Sequence, residues 1–404
     1  MSPARAIPNS SPLPLSALLS QTLIAFTLEL DNEFERQMLE AGYRGIGLSL
    51  AVWSNLFRFI GEEGITVGDL TTLASGPSHH MLPCLERWRF LTFTPPESEP
   101  PLRTKSHRRI PGLTVRDGYG SGRDIRRNWI VRLTPKGRQA KAVWPSLFDE
   151  IEGRWRTRFG ANDVHNLRGP LEKIVNGLDI ELPDGLPALS VPFERDEFPP
   201  RVVRDDGRIP LPALLSKALL AFALEFNRES EAPLSIAANV LRVAADEGVR
   251  VSDLPRLTGG SPEVSAIGWR LKYYVTIDAS TKGRGKLVRP NALGLRVRYA
   301  YPGLLDRIES RWEHRFGAQT IHDLRASLRV LFTRTSEGRH SMSAAVQPPP
   351  NVRRSAAAPG FLDLVPAERK RTREMAAQTA AFVNDPNGTL PHYPVWDMNR
   401  GFGP

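Results

Sequence analysis

At 404 residues the chain is long enough for two or three domains with cores of their own. A hydrophobic fraction of 41% with 24% charged residues fits a soluble globular protein, the single cysteine, Cys84, excludes an intramolecular disulfide framework, and no apolar run approaches the roughly 20 residues of a membrane-spanning helix. The net charge of +10 points to a polyanionic partner, nucleic acid before membrane, although an arginine-rich composition drawn from a GC-rich genome gives the same number.

Residues 1–12 read as a leader with one arginine and no continuous apolar core, which argues against a signal peptide and for a cytoplasmic protein. An apolar helix is expected from Leu15 to Phe34, followed by a less regular, glycine-containing stretch over 35–48. A second helix is predicted over about 49–62, with Val52, Leu56, Phe59 and Ile60 on one face and Gly64 as its stop. VGDLTTLA reads as a short helix begun near Gly68 or Asp69, SGP as a turn, SHHMLPCLERW as a third helix and FLTF as the strand that leaves it. Residues 94–127 are rich in Pro, Gly and Arg without periodicity, so they form a long loop or hairpin.

A strand then runs straight into a long helix. Trp129 to Leu133 alternate apolar sites, Thr134 is placed as an N-cap and Pro135 as the first helical residue. The threonine hydroxyl accepts an orphan backbone N–H there, and proline has no N–H to leave orphaned. Val143, Leu147, Ile151, Trp155 and Phe159 recur every four residues as one apolar face, and ANDVHNLRGPLEKIVNGL adds a last helix. Residues 181–208 have the proline-rich composition of a linker.

The second half repeats the first. IPLPALLSKALLAFALEFNRE aligns with LPLSALLSQTLIAFTLELDNE, matching Phe26 with Phe222 and Glu29 with Glu225. DEGVRVSDLPRLTGG aligns with EEGITVGDLTTLASG, and RIESRWEHRFGAQTIHDLR with EIEGRWRTRFGANDVHNLR. The strand–helix joint returns with Asn291 in place of Thr134, and the apolar face as Ala300, Leu304, Ile308, Trp312 and Phe316. The spacing between matched blocks shrinks twice, after the first helix and in the basic loop, where a duplicated fold tolerates deletion. Two domains of one fold are therefore expected, over 13–180 and 209–335. Residues 336–404 are expected to be a flexible tail with a helix over 366–384. Its Tyr393, Trp396 and Phe402 suit the anchoring of a docking partner; plain disorder is the competing reading.

Helix, short helix, turn, helix, strand, basic loop, strand is the order of a winged helix-turn-helix. On EEGITVGDLTTLASGPSHHMLPCLERW and RLTPKGRQ, each repeat resembles the MarR family of bacterial transcription regulators, over about 15–180 and, more weakly, 209–333. The resemblance implies a mainly α fold with small β-hairpin wings and a dimerisation region built from the first and last helices. Two copies in one chain imply an intramolecular pseudo-dimer, with the stripe from Val143 to Phe159 packing partly against that from Ala300 to Phe316; the alternative is that each stripe packs only within its own domain. The implied function is a DNA-binding transcription regulator with double-stranded DNA as partner. A small-molecule effector is then expected between the helix-turn-helix and the dimerisation helices, near Trp53, Phe57 and Trp88. Further homodimerisation stays open.

The wing supports DNA contact on physical grounds. From Arg103 to Arg138 there are eleven Lys or Arg and two acids, and such a loop neutralises phosphate whatever the sequence. Its candidates are Arg108, Arg109, Arg116, Arg123, Arg126 and Arg127, with Lys282, Arg284, Lys286 and Arg289 in the second repeat; a solvated charged loop is the competing reading. The candidate base readers are Ser78, His79, His80, Glu86 and Arg87. Pro83 inside that helix, and Glu263 with Gly268 in its counterpart, depart from a strong reading face. The alternative function is therefore a regulator-derived interaction module that no longer reads DNA specifically and docks partners through its tail. The glycines of DGYGSGRD read as a turn, since a phosphate loop needs a strand before and a helix after it. Cys84 near Arg87 and Arg89 is more often a buried thiol than an oxidation sensor. His165 and His322 recur at equivalent places, which suggests a shared structural hydrogen bond. No nucleophile motif, metal-ligand cluster or dinucleotide fingerprint stands out, so enzyme activity, a metal and a cofactor are not expected.

Overall fold

The first helix, α1 (Leu15–Glu40), is buried on nearly every side from Leu15 to Phe26, the pattern of a central helix rather than a surface one. A computed structural model of the chain describes residues 13–43, 56–73, 82, 85–86, 88–96, 125–180, 182, 208–258, 271–279, 286–333, 392–394, 396–397 and 401–402. Helix α1 runs past its expected end at Phe34. Arg36 pairs with both Glu33 and Glu40, and the Gln37 amide donates to Glu33 at 3.0 Å. These pairs three and four residues apart support the added turn, and Met38, buried four residues on from Phe34, continues its apolar face.

In the first half, β1 (Ile65–Thr66) leads into α2 (Val67–Leu73), and β2 (Leu91–Thr94) and β3 (Ile130–Leu133) form a hairpin. The antiparallel sheet has the order β1-β3-β2, with Phe93 opposite Val131. The expected second helix has only Leu56 and Phe57 helical among its described residues and gives way to turns well before Glu62. Gly64 closes the turn into β1 rather than the helix. Its φ is +83°, and a Cβ there would stand 2.5 Å from the Val131 carbonyl oxygen.

Helices α3 (Pro135–Phe159) and α4 (Ala161–Asn176) complete this half. The second half repeats the order: α5 (Leu211–Glu229), α6 (Leu234–Ile236) running into a π turn at Ala237–Leu241, β4 (Val249–Arg250), α7 (Leu254–Thr258), β5 (Val275–Ala279), β6 (Lys286–Pro290), α8 (Ala292–Phe316) and α9 (Ala318–Thr333). Its sheet has the matching order β4-β6-β5. Thus the protein is mainly helical with small antiparallel sheets.

Both strand–helix joints use the same chemistry with different residues. Thr134 Oγ1 accepts the Gly137 N–H at 3.1 Å and donates to the Arg89 carbonyl at 2.6 Å. Asn291 Oδ1 accepts the Gly294 N–H at 3.0 Å, and its Nδ2 donates to the Tyr273 carbonyl at 2.8 Å. Gly137 and Gly294 let each helix start touch the turn that leads into β2 or β5. A Cβ would fall 2.2 Å from the Phe90 carbonyl oxygen in the first case and 2.1 Å from that of Tyr274 in the second.

The apolar stripe of α3 is buried as expected, but in α8 Ala300 is exposed and Val297 and Tyr301 complete the buried face. α3 packs chiefly on α1, the first helix of its own half, and α8 packs on α9, the π turn and α5, all of its own half. The halves meet instead through α1 against α5 and α4 against α9. Polar side chains line each α3–α1 type of contact. Trp155 Nε1 donates to Glu29 at 2.9 Å, and Trp312 Nε1 to Glu225 at 3.0 Å. Arg154 pairs with Glu33 at 2.6 Å, and Arg311 with Glu229 at 2.5 Å.

Glu33 gives the fold an acid sensitivity. Burial alone would raise its carboxyl, but hydrogen bonds from Arg36, Arg154 and Gln37 outweigh it and lower the pKa from 4.5 to about 2. The folded value lies below the unfolded one, so this stabilisation is complete above about pH 4.5 and is lost as pH falls from there toward 2. Urea unfolding at pH 6 and pH 3 should show a smaller loss of stability in Glu33→Gln than in the wild-type chain. Equal losses would refute this account.

The contact between the halves is reciprocal. In the first half Arg168 donates to Glu152 at 2.8 Å and to the Ile209 carbonyl of the second half at 2.9 Å. In the second half Arg325 pairs with Glu309 and donates to the Leu13 carbonyl of the first half at 3.1 Å. Glu152 also holds Arg208 at 2.9 Å, and Glu309 accepts the Leu15 N–H at 2.8 Å. Residues 13 and 209 are equivalent in the two repeats. Each half therefore grips the start of the other's first helix, the signature of a two-fold interface in which the same patch is used twice.

Candidate nucleic-acid interface

The antiparallel pairs β2–β3 and β5–β6 lie where the wings were expected in each half. Arg126 and Arg127 are exposed just before β3. The backbone around them is fixed to the start of α2: the Arg127 carbonyl accepts the Gly68 N–H at 2.7 Å, and the Trp129 carbonyl accepts that of Val67 at 2.9 Å. The Arg127 guanidinium is thereby carried beside the start of α2, its Nε 3.5 Å from where a Gly68 Cβ would lie. In the second half Lys286 is exposed at the start of β6. Arg289 is half-buried, with its stem 2.7 Å from where a Gly248 Cβ would lie and its Nε buried without a hydrogen bond among the described residues. It packs under a turn more than it projects as a wing cation. Arg108, Arg109, Arg116, Arg123, Lys282 and Arg284 lie outside the described residues, as does the DGYGSGRD turn.

Of the expected reading helix, Ser78, His79, His80, Pro83, Cys84 and Arg87 also fall outside the described residues, as do Glu263 and Gly268. Leu82 and Leu85 are buried and Glu86 is half-buried. The helix end is unusual: Arg89 has φ +63°, its N–H bonds the Glu86 carbonyl at 2.8 Å, and the Phe90 N–H bonds that of Leu85 at 2.9 Å. This left-handed cap is normally a glycine's place, so the sequence carried no stop signal there.

At the expected effector position Phe57 is fully buried and stacks on Phe90, with ring centroids 5.8 Å apart. Trp88 is half-buried, and its carbonyl accepts the Lys136 ammonium at 3.1 Å. Trp53 lies outside the described residues. Lys136 was not singled out by the sequence reading. Its ammonium sits 4.2 Å from the Phe90 ring centroid, and burial, followed by the charge of Arg89, lowers its pKa to about 8. A cation in the first turn of a helix opposes the helix dipole, and that misplacement in TPKG is the one signal the sequence offered. Leu293 occupies the equivalent place in α8.

His165 and His322 are both exposed on α4 and α9, and the shared hydrogen bond expected of them is not formed among the described residues. Among the described residues no group of three or more His, Cys, Asp or Glu is placed to hold a metal ion. No described helix is long and apolar enough to cross a membrane. Compared with models of known families, with curated proteins and with solved structures, the chain matches none. Its chemistry therefore has to be argued from its own residues.

At its described residues, 392–394, 396–397 and 401–402, the expected flexible tail is packed and paired. Tyr393 is buried in this chain's own core. Beyond it, β7 (Trp396–Asp397) pairs antiparallel with β8 (Gly401–Phe402), and β8 packs on α1. The helix expected over 366–384 lies outside the described residues.

Proposed function

We propose that the chain is a DNA-binding transcription regulator of the MarR type, one polypeptide supplying both halves of a winged-helix pseudo-dimer. The observation that carries this reading is the pair of three-stranded sheets of matching order, each bearing a wing hairpin, on halves joined by reciprocal contacts. Dimeric winged helices bind because two-fold symmetry in the protein mirrors the spacing of two half-sites on the duplex. In this reading Arg126, Arg127 and Lys286 contact phosphate, joined by the arginines between residues 97 and 124. Such contacts supply affinity and register, and base edges met by the helix after α2 supply specificity. A small-molecule effector belongs to the same proposal, with Trp88 and the Phe57–Phe90 stack forming its wall.

Titration of a labelled duplex between 50 and 200 mM salt tests it. Each phosphate contact contributes a slope of about −0.9 in log K against log salt. The double variant Arg126→Ala/Arg127→Ala should flatten that slope by roughly 2 and weaken binding to all sequences alike. A slope unchanged by the double substitution would sink the wing assignment, and no binding at 50 mM by the intact chain would sink the function.

A further inference from the structure

We infer that the π turn Ala237–Leu241 is a recognition site for peptide main chain, and that its occupant is the chain's own C-terminal segment at His392–Pro394, held together with β7 and β8 as a strap over both halves.

Asn239 is fully buried at the centre of that turn. Its Nδ2 donates to the Tyr393 carbonyl at 2.9 Å, and its Oδ1 accepts the Tyr393 N–H at 3.1 Å. A primary amide paired with both main-chain groups of one residue imitates a rung of a β-ladder. It reads backbone, so the side chains on either side are chosen by shape and burial alone. With the segment removed, Asn239 would keep a buried donor and acceptor without these partners, and leaving buried polar groups unmet is costly. Single π turns within helices are rare and collect at functional positions. Here the wide turn, closed by the Arg242 N–H to the Ala237 carbonyl at 3.0 Å, carries Asn239 in the core.

The occupant fits the site chemically. His392, Tyr393 and Pro394 are all buried, and Tyr393 joins the main apolar cluster. Burial first, and then the charge of Arg242, lower the His392 imidazole to about 3, so it docks neutral. From there the chain turns through β7 and β8, and β8 lies on α1, a helix of the other half. The strap thus touches the second half at Asn239 and the first half at α1. In the repeat alignment Ala237, Asn239 and Leu241 match Trp53, Asn55 and Phe57. The strap therefore occupies, in the second half, the counterpart of the place where a ligand was expected in the first. Covalent attachment gives the segment a high effective concentration at the site, so docking does not depend on how dilute the protein is.

Hydrogen exchange on the full-length chain tests the inference, following amides 392–397 together with those of α8 as a control for global folding. In Asn239→Leu, exchange at 392–397 should accelerate at least tenfold while α8 stays protected. Unchanged exchange in the segment would overturn the inference. Should Asn239→Leu expose α8 as well, Tyr393→Pro decides, since it removes the N–H that Asn239 accepts from the peripheral partner instead of the core one. Faster exchange at 395–397 with α8 protected supports the strap; exchange as in the wild-type chain refutes it.

Discussion

Truncation of Trp155 to alanine should destabilise the protein by about 3–5 kcal/mol, the range for emptying a buried aromatic site. The indole is fully buried and meets Phe26 and Phe159 edge-on, with centroids 5.1 and 5.4 Å apart. It also donates to Glu29, a buried carboxylate that would be left to Arg158 alone among its ring-and-guanidinium partners. Trp155→Phe separates the two effects. It restores much of the volume but not the donor, so about 1–3 kcal/mol should remain. Trp312 packs on Phe222 and Phe316 at 5.3 and 5.4 Å in the same geometry, so Trp312→Ala should cost a similar amount. Its carboxylate partner, Glu225, is 20% exposed against 5% for Glu29, so water replaces the lost donor more readily there. Trp312→Phe should therefore cost less than Trp155→Phe. Urea unfolding of the four variants measures all of this; a loss below 1 kcal/mol for Trp155→Ala would contradict the packing described.

Glu152→Ala should cost about 3–5 kcal/mol, the usual result of deleting one member of a buried ion pair. The Glu152 side chain is 4% exposed and that of Arg168 10%. Without the carboxylate, Arg168 keeps only Glu172 at 3.2 Å, itself near solvent, and the Ile209 carbonyl. Arg156 and Arg208 also lose their pairing with Glu152, so the grip on the second half's first helix loosens. The double variant Glu152→Leu/Arg168→Met should be more stable than Glu152→Ala, because no unpaired charge remains in the interior. A double variant less stable than the single would show that the pair contributes net attraction beyond its desolvation cost.

The local elements were legible wherever a residue type has one physical use. Thr134 before Pro135 announced the start of α3, and the same logic found Asn291 although the residue differs. Periodicity identified the buried face of α3 but not its neighbour, because a period says which side is apolar and nothing about what covers it. Strands β1 and β4 are two residues each, too short for alternation to register. The end of α1 was placed too early although Met38 continues the spacing of Leu30 and Phe34, and the stop at Arg89 was missed because no glycine marks it. Least legible were contacts between residues far apart in sequence. Arg168 with Ile209, Arg325 with Leu13 and Asn239 with Tyr393 join segments whose local composition gives no hint of the partner. Of the expected DNA contacts on described residues, Arg126, Arg127 and Lys286 are exposed as a wing requires, while Arg289 is largely taken up by packing.

The paired grips of Arg168 and Arg325 have a consequence for how the protein changes over generations. In an assembly of two identical chains every substitution appears twice, and the seam dissolves on dilution. Here the seam closes within one backbone, so its formation is unimolecular and a substitution alters one side alone. Lys136 opposite Leu293 and Thr134 opposite Asn291 are differences of that kind. One side is thereby free to drift while the other holds its form, and whatever the two sides touch has no need to be symmetric.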